Sequence, residues 1–351
     1  METKVVAIDS NNIDETIINE AGLIIKRGGL VAFPTETVYG LGGDGLNPES
    51  SKKIYAAKGR PSDNPLIIHI ADIKDLEKIV KAIPESAMKL VDRFWPGPLT
   101  MIFEKSEAVP LETTGGLETV AVRMPSDKVA RAFIKAAGGY VAAPSANLSG
   151  RPSPTLAKYV IEDMNGRIEM IIDGGASKVG LESTIVDTTT DRPMILRPGY
   201  ITQEMLEDAL REEVLWDRAI IDEDCKTPPK APGMKYRHYA PKASLTIVEG
   251  LEGQVAEKIN SLGLEAVNFG KKVGVIATEQ TIGLYNSLFN IKSAGSKENA
   301  DDAAHFLFKI LREFDDDETE IIFSESFEGD GVGKATMNRL IKAAGHQIIQ
   351  A

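Results

Sequence analysis

Two cations flank a glycine at Lys58-Gly59-Arg60, where a predicted helix ends. Gly59 allows the chain to reverse, and Pro61 restricts Arg60 to an extended backbone. One interpretation is a lysine that caps the helix beside a solvated arginine. The other is a rigid pair of positive charges that suits an anionic ligand such as a polyphosphate. These residues alone leave both interpretations open.

Two further polar side chains interrupt apolar runs. His69 lies within Leu66–Ile70, and Arg123 lies within Val120–Met124. A lone histidine in such a run is most often a hydrogen-bonded core residue. A buried guanidinium must be paired, because removing it alone from water has a cost of several kcal/mol. The partner of Arg123 is either a carboxylate of the protein or the carboxylate or phosphate of a ligand.

Short segments of small and polar residues follow several predicted strands. They are Ala143-Pro144-Ser145-Ala146-Asn147, Glu182-Ser183-Thr184 and Leu196-Arg197-Pro198-Gly199. Small residues let the backbone approach a ligand, and the hydroxyl and amide groups add hydrogen-bond donors. The alternative for each segment is a polar turn closed by its own side chains.

A glycine-rich run near the C-terminus, Gly331-Val332-Gly333-Lys334, is similar to a phosphate-binding loop. However, Glu328 stands where that motif has its first glycine, and Ala335 stands where a serine or threonine would bind Mg²⁺. We therefore do not assign it as a Walker loop.

The alternation of helical and strand patterns predicts an α/β fold. Strands are predicted at Leu66–Ile70, Leu99–Phe103, Val120–Met124, Tyr140–Ala143, Met170–Asp173 and Thr184–Asp187. They are too closely spaced for a regular βαβ series, so we expect a twisted, mixed sheet in residues 1–213. Residues 243–351 alternate strictly between strand and helix, which indicates a small Rossmann-like parallel α/β domain.

The intervening residues 214–242 are predicted to form a linker. This segment is rich in proline but also contains Tyr236, His238 and Tyr239. Linkers usually avoid aromatic residues, whereas a lid that closes over a nucleotide would use them for stacking.

Composition limits the class of protein. The chain has 351 residues, a net charge of -12 and one cysteine. A disulfide framework and a cysteine-based zinc finger are thereby excluded within it, and neither half is a basic nucleic-acid module. No apolar run is long enough to span a membrane and no secretory leader is present, so a cytoplasmic location is expected.

Taken together, segments at 34–42, 58–65, 119–125, 143–154, 180–187 and 196–199 resemble the L-threonylcarbamoyladenylate synthases. The likeness is to the long form, in which a YrdC-like catalytic domain precedes a linker and a Sua5 domain. The family signatures Lys-x-Arg and Ser-x-Asn occur as Lys58-Gly59-Arg60 and Ser145-Ala146-Asn147. The linker sequence 232–241 is the most specific marker of the long form.

The resemblance implies a nucleotidyltransferase that joins L-threonine, bicarbonate and ATP into threonylcarbamoyl-AMP and pyrophosphate. Mg²⁺ is expected to enter through the ATP phosphates, without metal ligands from protein side chains. A partner tRNA threonylcarbamoyl transferase would then modify adenosine 37 of tRNAs. Direct binding of tRNA by this chain stays an open question.

The resemblance also implies roles for individual residues. The residues of the threonine pocket would be Thr37, His69, Arg123, Ala143 and Ser183. The residues that contact ATP would be Lys58, Arg60, Asn64, Thr119, Ser145, Asn147, Ser153, Arg197, Tyr236, His238 and Tyr239. Among these, Lys58 and Arg60 would be the catalytic cations that hold the phosphates.

Two other functions fit parts of the chain. Carbamoyltransferases that mature hydrogenases share a YrdC-like module, but they carry cysteine-rich zinc fingers that one cysteine cannot supply. An RNA-binding module would need clustered lysine and arginine, which the net charge of -12 does not favour.

We predict that Arg60→Ala lowers the rate of threonylcarbamoyl-AMP formation by about 10²-fold or more, the scale for loss of one preorganised charge contact. The rate is measured as product formed per enzyme at saturating substrates. Near-wild-type turnover in this variant would contradict a phosphate-holding role for Arg60.

Overall fold

The computed structural model describes residues 2–221, 239–327 and 330–351. The chain divides into two compact units. The second unit contains the described residues from 239 onward together with Gly150–Pro152 and Val179–Leu181. All other described residues belong to the first unit, including the first residues of the predicted linker, as far as 221. The linker residues 222–238, among them Tyr236 and His238, lie outside the described residues.

The first unit is built on one mixed sheet. Its strands are β1 (Lys4–Ala7), β2 (Val31–Phe33), β3 (Gly40–Asp44), β4 (Ile67–His69), β5 (Leu99–Glu104), β6 (Thr119–Arg123), β7 (Val141–Ala143), β8 (Met170–Asp173), β9 (Thr184–Asp187), β10 (Met194–Arg197) and β11 (Leu215–Trp216). Their order is β1-β8-β2-β3-β7-β4-β6-β5-β9-β10-β11. The sheet contains both parallel pairs, such as β4 with β6, and antiparallel pairs, such as β5 with β6. The structure thus confirms the predicted mixed sheet.

Helices connect these strands. They are α1 (Glu15–Lys26), α2 (Pro48–Lys58), α3 (Leu76–Ile79), α4 (Glu85–Phe94), α5 (Leu111–Thr114), α6 (Lys128–Ala136), α7 (Ala157–Met164), α8 (Gln203–Leu210) and α9 (Arg218–Ile221). Asn47 caps the N-terminus of α2, where its side chain accepts a hydrogen bond from the backbone of Glu49, and Gly59 caps the C-terminus with a φ of 61°. Glycine at this position is favoured because it adopts the left-handed conformation without strain. Nowhere in the described ranges is a helix both long and apolar enough to cross a membrane.

Apolar residues of the helices cover the sheet in separate clusters. One cluster joins α1 and α6 to the strands through buried side chains such as Ile25 and Phe133. Another joins α2 and α7 to the sheet through Ile54 and Val160. A third, around Leu90 and Val122, includes residues of α4 and α8. These clusters fix the strands that carry the polar residues of the sequence signatures.

Strand β3 was not predicted, because glycine occupies three of its five positions and is depleted in strands. The packing explains the glycines. A Cβ atom on Gly42 would lie 2.8 Å from Cγ1 of Val141, and one on Gly43 would lie 3.0 Å from Cδ1 of Ile54. The close approach of neighbouring side chains therefore requires residues without a Cβ atom.

The second unit has a parallel sheet. Its strands are β12 (Ser244–Glu249), β13 (Val273–Ala277), β14 (Asn290–Ser293), β15 (Ile321–Glu325) and β16 (Ile348–Gln350), and its helices are α10 (Glu252–Asn268), α11 (Ala300–Asp316) and α12 (Val332–Ala344). The strand order is β14-β13-β15-β12-β16, and every pair is parallel. This confirms the predicted Rossmann-like parallel α/β domain. The edge strands β14 and β16 were not predicted, because they are only partly buried.

Candidate functional site

Arg123 ends β6 near the middle of the mixed sheet. It pairs with His69 of β4 on one side and with Thr100 of β5 on the other. Directly paired residues point to the same face of a sheet. Arg123, His69 and Thr100 therefore form a polar row across three adjacent strands.

Arg123 is paired with a carboxylate of the protein. Its Nη2 lies 2.7 Å from Oε1 of Glu36, and both side chains are almost fully buried, at 4% and 7% exposure. Its Nη1 donates to Oγ1 of Thr37 at 2.9 Å. The Nη2–Glu36 contact does not have the alignment of a hydrogen bond. The structure thus supplies the protein carboxylate that the sequence left as one of two possible partners.

Glu36 was not singled out from the sequence. The signal was available, because Glu36 is the single acidic residue between Val31 and Gly43. The segment around it is tightly held. Oγ1 of Thr35 donates to the carbonyl of Val38 at 2.6 Å and accepts from the backbone of Thr37 at 3.2 Å. This turn presents Glu36 and Thr37 together to Arg123.

His69 is buried and held in place by its own strand, with Nδ1 3.1 Å from the carbonyl oxygen of Ile67. Burial, with a further contribution from the positive charge of Arg123, lowers the pKa of His69 to about 3. The imidazole is therefore neutral at neutral pH. Its ring packs against Phe33 in an edge-on arrangement with 5.9 Å between centroids.

Ser183 and Arg197 lie together at the end of this row. Oγ of Ser183 and Oγ1 of Thr100 share a hydrogen bond of 2.7 Å. Arg197 Nη2 donates to the carbonyl of Ser183 at 2.9 Å and to its hydroxyl at 3.1 Å. The structure thus joins Ser183, predicted for threonine, with Arg197, predicted for ATP. Thr100 was not predicted, because a threonine in a buried strand gives no distinguishing signal.

Lys58 holds the Ser145-Ala146-Asn147 segment. Its buried ammonium donates to the carbonyl of Ser145 at 2.5 Å and also to the carbonyl of Asn147. The backbone of Ser149 returns a hydrogen bond to the carbonyl of Lys58. Lys58 thus binds carbonyl groups of a different loop, a role that neither interpretation of the sequence included. It fixes the segment whose Ser145 hydroxyl donates to Asn147 Oδ1 at 2.5 Å.

Arg60 and Asn64 form the next part of the site. Arg60 is half-buried, and its Nη2 donates to the carbonyls of Asn64 at 3.3 Å and Pro65 at 3.2 Å. Asn64 is buried, yet within the described residues its Oδ1 accepts no hydrogen bond. Buried polar atoms are normally paired, so this oxygen is suited to accept a bond from a ligand.

The remaining predicted residues lie on neighbouring strands and loops. Ala143 ends β7 and pairs with Ile67, two residues before His69 on the same face. Thr119 begins β6, four residues before Arg123 and on the same face. The hydroxyl of Ser153 donates to Oε1 of Glu182 at 2.6 Å.

Tyr239 belongs to the second unit. It is buried, and its ring lies 5.1 Å from that of Phe308, centroid to centroid. Its contact with a nucleotide stays a prediction. Tyr236 and His238 cannot be placed, because they lie outside the described residues.

Comparison with known proteins gives a consistent family. A family model for Sua5, YciO and YrdC proteins, described as "Telomere recombination", matches residues 23–199. A second model, described as "Threonylcarbamoyl-AMP synthase, C-terminal domain", matches residues 201–345.

Individual proteins are similar over nearly the whole chain. The chain is 47% identical to the threonylcarbamoyl-AMP synthase of Bacillus subtilis, with 97% of each chain covered. It is 48% identical to the enzyme of that name from Pyrococcus abyssi, covering 96% of this chain and 97% of that one. The crystal structure of P. abyssi Sua5 complexed with L-threonine superposes with a TM-score of 0.93 at 46% identity, covering 99% of this chain and 100% of that chain.

The low pKa of His69 predicts a pH-dependent stability. The unfolded chain takes up a proton near pH 6.5, whereas the folded chain does so only near pH 3. The contribution of neutral His69 to the unfolding free energy is therefore fully present above pH 6.5 and is lost as the pH falls below that value. We expect the unfolding free energy of wild type relative to His69→Gln to decrease between pH 6.5 and 4, by at most about 1.4 kcal/mol per pH unit.

Urea unfolding of both proteins across this range measures the difference, which should be constant above pH 7. A difference that is independent of pH down to pH 4 would show that His69 is protonated as readily in the folded state as in the unfolded state.

Proposed function

The chain belongs to the threonylcarbamoyl-AMP synthase family, and we propose that the row around Arg123 binds L-threonine for the synthesis of threonylcarbamoyl-AMP. The enzyme is a nucleotidyltransferase of the tRNA threonylcarbamoyladenosine route. In the reaction we propose, L-threonine, bicarbonate and ATP give threonylcarbamoyl-AMP and pyrophosphate.

The observation that carries this proposal is the placement of Arg123 beside Glu36, Thr37 and His69. A guanidinium binds a carboxylate with two parallel hydrogen bonds, and Nη2 of Arg123 is not aligned with Glu36. The carboxylate of threonine is therefore a suitable partner for this group. The neutral imidazole of His69 adds polarity beside the amino acid without adding a second positive charge.

The strand spacing supports an extended ligand. Thr119 and Arg123 lie on one face of β6, four residues apart, which corresponds to about 13 Å along a strand. We propose that the amino acid lies at the Arg123 end and the nucleotide toward Thr119. Between them, Ala121 adds only a methyl group to this face and packs with Ile67 and Ile102 of the neighbouring strands.

The proposed reaction requires alignment of the carbamate with the α-phosphate of ATP more than it requires acid–base catalysis. The amine of threonine adds to CO₂ derived from bicarbonate and loses a proton, which gives a carbamate. A carbamate oxygen then attacks the α-phosphorus of ATP, the bond from that phosphorus to the bridging oxygen breaks, and pyrophosphate leaves. No strong base is needed once the carbamate exists. Positioning and neutralisation of the phosphate charge would supply the catalysis.

Arg60 is the cation that we assign to the phosphates, because it is half-buried and its Nη2 is held beside Asn64 by the carbonyls of Asn64 and Pro65. Lys58 would act mainly by fixing Ser145 and Asn147, since its ammonium is bound to their carbonyls. The predicted direct phosphate contact of Lys58 would require one of these bonds to exchange.

Mg²⁺ would enter with the phosphates of ATP. Among the described residues there is no group of three side chains that could hold a metal ion by itself. Mg²⁺ commonly binds through substrate phosphates with one or two carboxylates. Glu182, beside Ser153, is the carboxylate that could share it. When bound, Mg²⁺ neutralises charge on the leaving pyrophosphate.

The product is a mixed anhydride, which hydrolyses readily. We propose that a tRNA threonylcarbamoyl transferase consumes it downstream and modifies adenosine 37. Prompt transfer would limit the loss of the intermediate to water. Direct tRNA binding by this chain has weaker support, since its net charge is -12.

We predict that pyrophosphate release from ATP requires both L-threonine and bicarbonate. Omission of either should abolish release, because no carbamate can then form to attack ATP. Replacement of L-threonine by L-serine should reduce the rate about tenfold or more, since a lost methyl contact is worth roughly 10- to 200-fold. A coupled phosphate assay in bicarbonate-depleted buffer measures the rate. Release without threonine, or at an equal rate with serine, would contradict the substrate assignment.

A further inference from the structure

The second unit contains a cavity at the carboxyl edge of its parallel sheet. Its volume is about 210 Å³. Two of its lining residues are Thr278, which follows β13, and Glu325, which ends β15. All residues that line it belong to the second unit.

The cavity coincides with a reversal of the strand order. Strands β13 and β15 are neighbours. The chain leaves β13 toward β14 on one side, and it leaves β15 through α12 toward β16 on the other side. In open α/β sheets, ligands bind outside the carboxyl ends of the strands at such a switch point. The topology therefore predicts a binding crevice where the cavity is found.

Glu325 is a buried carboxylate in the wall of this cavity, with 8% of its surface exposed. Its hydrogen bonds in the described structure come from neutral donors. Oε1 accepts from the hydroxyl of Tyr285 at 2.5 Å, and Oε2 accepts from the backbone of Thr278 at 3.3 Å. A carboxylate has about four acceptor positions, so Glu325 can accept further hydrogen bonds from a ligand.

Tyr285 remains a donor to Glu325 at neutral pH. Burial, followed by its hydrogen bond to Glu325, raises the pKa of Tyr285 well above its usual range. The carboxylate is thus held in one orientation, with its remaining acceptor capacity available at the cavity wall.

The other walls are largely apolar. Its apolar lining includes the buried side chains of Val255 and Phe327 and the exposed side chain of Leu251. Lys297 is exposed and pairs with Glu252 at 3.3 Å, so these two lining charges offset each other. The lining therefore combines a surface for an apolar ring with one carboxylate that accepts hydrogen bonds.

The volume of the cavity limits the size of the ligand that it can enclose. A volume of about 210 Å³ is below the roughly 300–1,000 Å³ typical of pockets for drug-sized ligands. A dinucleotide is therefore too large to be enclosed. The carboxylate also disfavours an anionic group beside it.

We propose that this cavity binds a nucleoside, whose ribose hydroxyls donate to Glu325 and whose base lies against Leu251, Val255 and Phe327. An acidic residue that accepts from ribose hydroxyls is the mode of recognition used at the switch point of dinucleotide-binding sheets. Its lining residues all belong to the second unit, whereas the row around Arg123 belongs to the first unit.

Adenosine and 2′,3′-dideoxyadenosine, which lacks both ribose hydroxyls, are the probes. Hydrogen–deuterium exchange of the full chain locates binding, because protection of peptides within 273–303 and 321–327 reports the cavity separately from the first unit. Calorimetric titration measures the affinity. Glu325→Gln removes the charge, and Ala300→Phe fills the cavity from an exposed position at the start of α11.

We expect adenosine to protect the second-unit peptides in wild type and in the control Glu257→Gln, which changes an exposed glutamate of α10. Glu325→Gln and the dideoxy compound should each weaken binding about tenfold, the scale of a hydrogen bond to a charged group. Ala300→Phe should abolish the second-unit protection and leave pyrophosphate release unchanged.

Three results would overturn the proposal. They are absence of second-unit protection at millimolar adenosine, equal binding of the dideoxy compound, and unchanged adenosine binding in both cavity variants. Each is distinguishable from a failure of the catalytic assignment, which is measured by pyrophosphate release.

Discussion

The polar row of the first unit depends on the burial of the Arg123 guanidinium near the middle of a mixed sheet. A buried positive charge is tolerated only if other groups compensate for its lost hydration. Glu36, Thr37 and the carbonyl of Gly97 supply this compensation from outside its own strand. Because Nη2 is not aligned with Glu36 for a hydrogen bond, the same arrangement is suited to exchange a protein carboxylate for that of an amino acid. If Arg123 binds the substrate as proposed, stability and substrate binding are linked at this one residue.

The elements around Arg123 are shaped by the need to bring chain segments close together. Glycines in β3 admit the side chains of Val141 and Ile54, and so place the turn before β3 against the sheet. Lys58 crosses to the carbonyls of Ser145 and Asn147, and so fixes a second loop. The two sequence signatures of the family, Lys-x-Arg and Ser-x-Asn, are therefore parts of one hydrogen-bonded unit.

Much of this arrangement could be predicted from sequence, for identifiable reasons. Strands such as Met170–Asp173 are continuous apolar runs between turn residues, and their bounds were predicted correctly. Strand β3 was missed because its glycines serve packing that local sequence does not reveal. Arg123 was recognised as needing a partner, but Glu36 was not, because their contact spans 87 positions of the chain. The partners of Lys58 could not be predicted either. They are backbone carbonyl groups, which every residue has and which the sequence therefore does not distinguish.

The central claim is that Arg123 binds the carboxylate of L-threonine. Calorimetric titration of wild type and Arg123→Lys with L-threonine and with L-threoninamide, which lacks the carboxylate, tests it most directly. We expect the substitution to weaken binding of L-threonine at least tenfold more than binding of L-threoninamide, which corresponds to about 1.4 kcal/mol of coupling between the guanidinium and the carboxylate. Equal weakening of both ligands would show that Arg123 supports the fold of the pocket without contacting the substrate carboxylate.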